Sequence, residues 1–288
     1  MSGLKSLVLA FLVFALGYLG VAGDERWYRF NPPPPLPKAD ASGFAAVNGI
    51  RMFYAVYGKG RGSPILLIHG GMGSADVWGF QVPILAKTHE VIVADSRGHG
   101  HSTRTEAPFT YHLMAEDYVA LLDTLKIERT ALVGWSDGGI IGLDIALHHP
   151  DRLTKLFAQA ANVSPDGLLP QPAFSLQQPD GNRDETDYRR LSSTPDAYPA
   201  FRAAIETLWA TEPRYSQADL KSIRVPTMIA LGDHDEAVSR AHSEYIARTI
   251  PGARFLLLKD VGHKALYQDP AGYAAAVLAF IDGTGPKT

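Results

Sequence analysis

The sequence predicts an α/β protein, a mostly parallel sheet with helices on both faces. Three observations predict it. First, short runs at 65–68, 91–94, 131–133, 153–158, 227–231 and 254–258 are mostly apolar, so strands built from them need cover on both faces. Second, longer amphipathic stretches at about 78–86, 112–125, 138–148, 240–249 and 270–281 fall between those runs, and they supply the covering helices. Third, 44–58 is apolar and aromatic around Asn48-Gly49, a dipeptide suited to the positive φ angles of a tight hairpin, so an antiparallel pair opens the sheet.

Taken from the start, 1–22 carry one charge, Lys5, before an apolar run from Leu7 to Ala22. That is a signal-peptide pattern with Gly20-Val21-Ala22 as small-x-small cleavage site. The expectation is export to a periplasmic or extracellular location, with a retained N-terminal membrane anchor as the alternative. Residues 23–42 hold four consecutive prolines, 32–35, and read as an extended linker, because proline fixes φ and removes backbone donors. The folded unit is expected from 43 to 288. Within it, about 163–222 lack a strand and are rich in Pro, Asp, Gln and Ser, with one helical piece near Ala197–Trp209. Sixty strandless residues exceed an ordinary connection and read as an inserted lid.

Composition removes several function classes. The chain has 288 residues, enough for a sizeable core. It has no cysteine, so disulfide scaffolds, thiol nucleophiles and cysteine-ligated metals are excluded. Net charge is −3 without a Lys/Arg block, which argues against a nucleic-acid partner.

The sharpest local signal is Gly134-Trp135-Ser136-Asp137-Gly138-Gly139, set between a strand and a helix. Glycines on both flanks permit a sharp turn that holds Ser136 in a strained conformation with its hydroxyl above the sheet edge. A serine needs a base, and the base needs an orienting acid. His263 follows the last strand, and Asp233, His234, Asp235 and Glu236 follow the strand before it. Asp235 is preferred as the acid, with Asp233 as a loop brace and Glu236 as a solvated side chain. The order Ser136, Asp235, His263 is the nucleophile–acid–base order of one known solution. For the oxyanion, the expected donors are the backbone N–H groups of Asp137 and of Gly71 in His69-Gly70-Gly71-Met72-Gly73, with Met72 second to Gly71. His69 is expected to brace loops. Asp95-Ser96-Arg97-Gly98-His99-Gly100-His101-Ser102 is read as a turn rather than a metal site, and His148-His149 as an exposed pair at a helix end. No metal and no cofactor are expected. Trp135, Trp78 and Trp209 are candidate pocket lining, as is the Asp137 side chain.

These motifs, over about 44–282, resemble the α/β-hydrolase family. The resemblance implies an eight-stranded sheet with an inserted lid, a Ser136–Asp235–His263 triad and a small-molecule substrate. Serine at the elbow points away from the dehalogenases and epoxide hydrolases of the family, which carry an aspartate there. The expected activity is cleavage of small or medium carboxylic esters through an acyl-enzyme. Lactonase, amino-acid ester hydrolase and carbon–carbon bond hydrolase chemistry of the same fold are the alternatives, together with a non-catalytic ligand-binding protein. The elbow also resembles that of the biphenyl-hydrolase-like branch, which implies that the Asp137 carboxylate could pair with a substrate amino group.

Overall fold

The computed structural model describes residues 25–29, 31–170 and 183–284. The signal or anchor expected at 1–22 lies outside the described residues, as do 171–182 of the expected lid. No helix among the described residues is long and apolar enough to cross a membrane.

The described strands form one eight-stranded sheet: β1 (Ala41–Val47), β2 (Ile50–Tyr57), β3 (Pro64–Ile68), β4 (Glu90–Ala94), β5 (Thr130–Trp135), β6 (Leu153–Gln159), β7 (Thr227–Gly232) and β8 (Arg254–Leu258). Their spatial order is β1-β2-β4-β3-β5-β6-β7-β8. The β1–β2 hairpin and the β2–β4 pair are antiparallel and every later pair is parallel. Asn48 and Gly49 turn the hairpin at φ 42° and 81°, as a primed turn requires.

The apolar strands bury both faces. Leu66, Ile68, Leu132 and Leu156 join one core layer, whereas Ile65, Leu67, Val133 and Phe157 join the other. This is the period-two alternation of a pleated strand. The first layer is covered by α2 (Tyr111–Thr124), α3 (Asp137–His148) and α7 (Arg240–Thr249), through residues such as Tyr118, Ile141 and Ile246. The second is covered by α1 (Val82–Leu85), α8 (Ala265–Gln268) and α9 (Pro270–Ile281), through Leu85, Leu266 and Tyr273.

One helix expected at 78–86 is instead a 3-10 turn, Ala75–Trp78, followed by the short α1. Pro83 has no N–H to donate and fits only a first helical turn. Between β6 and β7 stand α4 (Arg183–Leu191), α5 (Tyr198–Thr211) and α6 (Gln217–Ser222). The proline-rich segment lies on the domain surface. The backbone of Pro34 touches Gly79 closely, and Leu36 and Ala39 pack against the second core layer.

The strand order sets the site. From β3 the chain steps outward to β4 and then returns to β5 on the other side, a reversal that opens a crevice at the carboxyl ends of the strands. Ile68 pairs with Gly134 there, Trp135 with Gln159, and Gly232 with Leu258. The loops after β3, β5, β7 and β8 therefore leave the sheet side by side.

Candidate active site

Ser136 is the hinge between β5 and α3, at φ 55° and ψ −120°. A Cβ on Gly134 would lie 2.1 Å from the Gly138 carbonyl oxygen, and one on Gly138 would lie 2.1 Å from that of Ile68. No other residue fits either place. A non-glycine residue held at such a φ costs about 1–3 kcal/mol, and the surroundings hold it. The Ser136 N–H donates to the Gln159 carbonyl at 2.8 Å, while its own carbonyl accepts from the Gly139 and Ile140 N–H groups.

The β3 loop closes on this elbow. A Cβ on Gly70 would come within 3.1 Å of Ser136 Cβ, and one on Gly71 within 2.5 Å of Asp137 Oδ2. Met72 sits at φ 60°. His69 is buried and fixes the loop: Nδ1–H donates to the Gly70 carbonyl at 2.7 Å and Nε2 accepts from the Ser96 N–H at 2.9 Å. Burial holds its pKa below the ordinary histidine value, so the ring stays neutral. Asp95 is likewise committed, accepting from the Ala75 N–H and from the His101 N–H and Nδ1.

Asp235 meets the histidine ring and Asp233 does not. His263 Nδ1 lies 3.2 and 3.1 Å from the two Asp235 carboxylate oxygens. Asp235 Oδ1 also accepts from the N–H groups of Ala237 and Val238, at 2.9 and 2.8 Å. That pins the carboxylate before it can orient anything else. With Nδ1–H donating to Asp235, Nε2 is the basic nitrogen of the ring. Burial lowers the pKa of His263, but the charge and hydrogen bond of Asp235 outweigh it, and the net shift is upward. Asp233 reaches the Val261 N–H and pairs with Lys259. Glu236, expected to be solvated, accepts from the His263 backbone N–H at 2.9 Å, and burial raises its pKa.

Ser136 and His263 line one cavity of about 60 Å³, together with Asp137 and Trp209. The remaining lining residues, Tyr111, Asn162, Leu168, Leu169, Glu212, Ala237 and Val238, are ones that sequence reasoning did not name. Only Ala237 and Val238 could have been found, since they close the Asp235 turn.

Two expected lining residues are elsewhere. Trp78 is fully buried in the second core layer beside Tyr273. The Trp135 indole N–H donates to the His263 carbonyl at 2.9 Å, so it holds the base loop instead of facing the cavity.

Asp137 is the electrostatic anomaly of the site. Its carboxylate is buried and accepts from the Tyr111 hydroxyl and the Trp209 indole N–H, each at 3.0 Å. Burial pushes its pKa up to about 6, against the pull of those two donors and of His263. Trp209 belongs to α5, so this carboxylate fastens the insertion to the elbow.

Known proteins resemble this chain in sequence and fold. A family model described as alpha/beta hydrolase fold matches residues 63–205. A RutD protein of Azorhizobium caulinodans, provisionally named a carbamate hydrolase, is 30% identical over 229 residues, covering 70% of this chain and 84% of the relative. The human serine hydrolase BPHL is 28% identical over 256 residues, covering 82% and 84%. Among solved structures, the enol-lactonase of Burkholderia xenovorans LB400 superposes with a TM-score of 0.67 at 25% identity, over 83% of this chain and 99% of the other. By sequence and by sheet order, the chain belongs to the α/β-hydrolase family and is a hydrolase.

Proposed function

We propose that this hydrolase cleaves small or medium carboxylic esters with Ser136 as nucleophile, His263 as general base and acid, and Asp235 as the group that orients the imidazole. The carrying observation is that His263, locked through Nδ1 onto Asp235, lines the same cavity as the strained Ser136. In this reading Nε2 takes the Ser136 proton as Oγ attacks the carbonyl carbon. The N–H groups of Asp137 and Gly71 receive the oxyanion, and the imidazolium returns the proton to the departing alcohol. Water, activated by the same ring, then releases the acid and restores Ser136. The helix N-terminus at Asp137 adds a favourable dipole for the developing charge.

Charge narrows the substrate. The cavity carries the Asp137 and Glu212 carboxylates, and none of its described lining residues is Lys or Arg. Substrates bearing a free carboxylate near the scissile bond would therefore be disfavoured. The same pair of carboxylates supports a second reading, an ester with an α-ammonium group. Lactones and carbamates, suggested by the names of the relatives, present the same kind of electrophilic carbonyl.

The test is turnover of a panel of p-nitrophenyl esters, lactones, carbamates and α-amino esters. Ser136→Ala is expected to lower esterase kcat/KM by roughly 10³-fold or more with folding intact. Retained activity in that variant would refute the mechanism. A preference for α-amino esters that vanishes in Asp137→Ala would establish the second reading, and indifference to the amino group would remove it.

A further inference from the structure

A second convergence of side chains lies in the seam between α2 and α3, outside the cavity lining. His112 and Glu116 are one turn apart on α2, and Asp144 and His148 are one turn apart on α3, so each pair shares a helix face. The Nδ1 atoms of both histidines approach one oxygen, Asp144 Oδ1, at 2.9 Å from His112 and 3.0 Å from His148, and that of His148 lies equally near the Asp144 backbone carbonyl oxygen. The carboxylate is 3% exposed, whereas the two imidazoles are 55% and 48% exposed. The result is a buried anion with two imidazoles standing at its mouth.

We propose that His112, Asp144 and His148 form a binding site for one divalent transition-metal ion, Cu(II) or Ni(II). Two imidazole nitrogens and one carboxylate oxygen within 4.8 Å of one another make a donor set these ions favour. Imidazole nitrogen together with carboxylate oxygen suits Cu(II) and Ni(II), and Cu(II) stands highest in affinity among the divalent first-row ions.

One group beside the donors supports the site. Tyr215 donates its hydroxyl to Asp144 Oδ2 at 2.9 Å, which holds the carboxylate and leaves Oδ1 facing the rings. Glu116 Oε1 lies 3.9 Å from His112 Nε2. That oxygen is taken by His149 Nε2 and lies beyond hydrogen-bond reach of His112, so Glu116 is a neighbour of the site and not a brace for its ligands. Nothing in ester hydrolysis uses these residues. Water completes the coordination on the solvent side.

The test uses the untagged full chain titrated with Cu(II) alone, followed by calorimetry and by electron paramagnetic resonance. One equivalent is expected to bind with micromolar affinity and a spectrum showing two nitrogen ligands. The double variant His112→Gln/His148→Gln should bind at least about 30-fold more weakly. Both exchanges are at the surface, and an unchanged melting temperature without metal establishes that the variants fold. Unchanged affinity in the double variant would overturn the proposal. Loss of binding in His149→Gln alone would also overturn it, by moving the metal to the neighbouring His149–Glu116 pair. Zinc binding more tightly than copper would overturn the choice of metal.

Discussion

Asp233 and Asp235 differ by two positions in the sequence and by everything that matters at the ring of His263. Asp235 contacts Nδ1 and is held by two backbone N–H groups; Asp233 reaches a backbone N–H and Lys259. Asp235→Asn is therefore expected to lower kcat/KM by roughly 10³- to 10⁴-fold, as loss of an orienting acid does, while Asp233→Asn stays within a few-fold of wild type. The pH profile adds a sign. The neutral ring is the base and its pKa is raised, so wild-type kcat/KM should fall with decreasing pH through a midpoint above 6.5. Removing the Asp235 charge leaves burial as the dominant influence, and the residual activity should titrate below 6.5. A midpoint unmoved by the exchange would show that Asp235 does not set the base. Ser136, Asp235 and His263 were legible because each sits in a turn directly after an apolar strand, a local pattern. Tyr111 and Glu212 were not legible, since only tertiary packing brings them to the elbow.

Among the elements, α5 is fastened to the elbow by a side-chain bond. Its Trp209 indole N–H lies 3.0 Å from both oxygens of Asp137. Trp209→Phe would leave the buried carboxylate with the Tyr111 hydroxyl as its remaining donor among the bonds described, and its pKa would rise further above about 6. A carboxyl whose folded pKa is raised contributes stability at low pH that is lost as pH climbs through that value. The variant carries the loss to higher pH than wild type does. The exchange should thus cost about 1–3 kcal/mol at pH 8 and clearly less at pH 5, where Asp137 is protonated in both proteins. Urea unfolding at the two pH values measures the difference, and equal costs would show that Asp137 is not the partner that matters. The sequence placed this helix near Ala197–Trp209 because Phe201, Ile205 and Leu208 recur at helical spacing and are buried. It missed α4 for the opposite reason. Arg183–Leu191 is mostly charged, and only Tyr188 is buried, so the segment has no apolar period to read.

At the scale of the whole molecule, the sheet order was legible only in outline. Apolar runs give strands, but the reversal from β4 back through β3 to β5 is a property of pairing. Least legible was the segment before the sheet, which composition presents as a free linker. Its Trp27 touches the loop of the acid directly and reaches the loop of the base through Gln268. The Trp27 ring stacks on His234, beside Asp235, with centroids 4.4 Å apart and planes 1° from parallel. The Trp27 carbonyl accepts from Gln268 Nε2 at 2.6 Å, and Gln268 Oε1 accepts from the N–H of Gly262, beside His263, at 2.6 Å. Arg26 pairs with Asp269 at 2.9 Å. One short segment thus adds a link between two loops that Asp235 and His263, Glu236 and the His263 N–H, and the His234 N–H and the Val261 carbonyl already join. Removing 1–24 is expected to leave kcat and melting temperature unchanged. Removing 1–30 should lower kcat several-fold with little change in KM, because geometry between Asp235 and His263 is loosened while the cavity lining stays in place. The melting temperature should fall by a few degrees, since a lost stacked pair is worth about 0.5–1.5 kcal/mol and each kcal/mol moves a domain of this size by about 2–4 °C. Exchanging Trp27 for Ala in the full chain should reproduce part of the kcat loss. If the two truncations have equal kcat, residues 25–29 are packing on the surface and do not position the base.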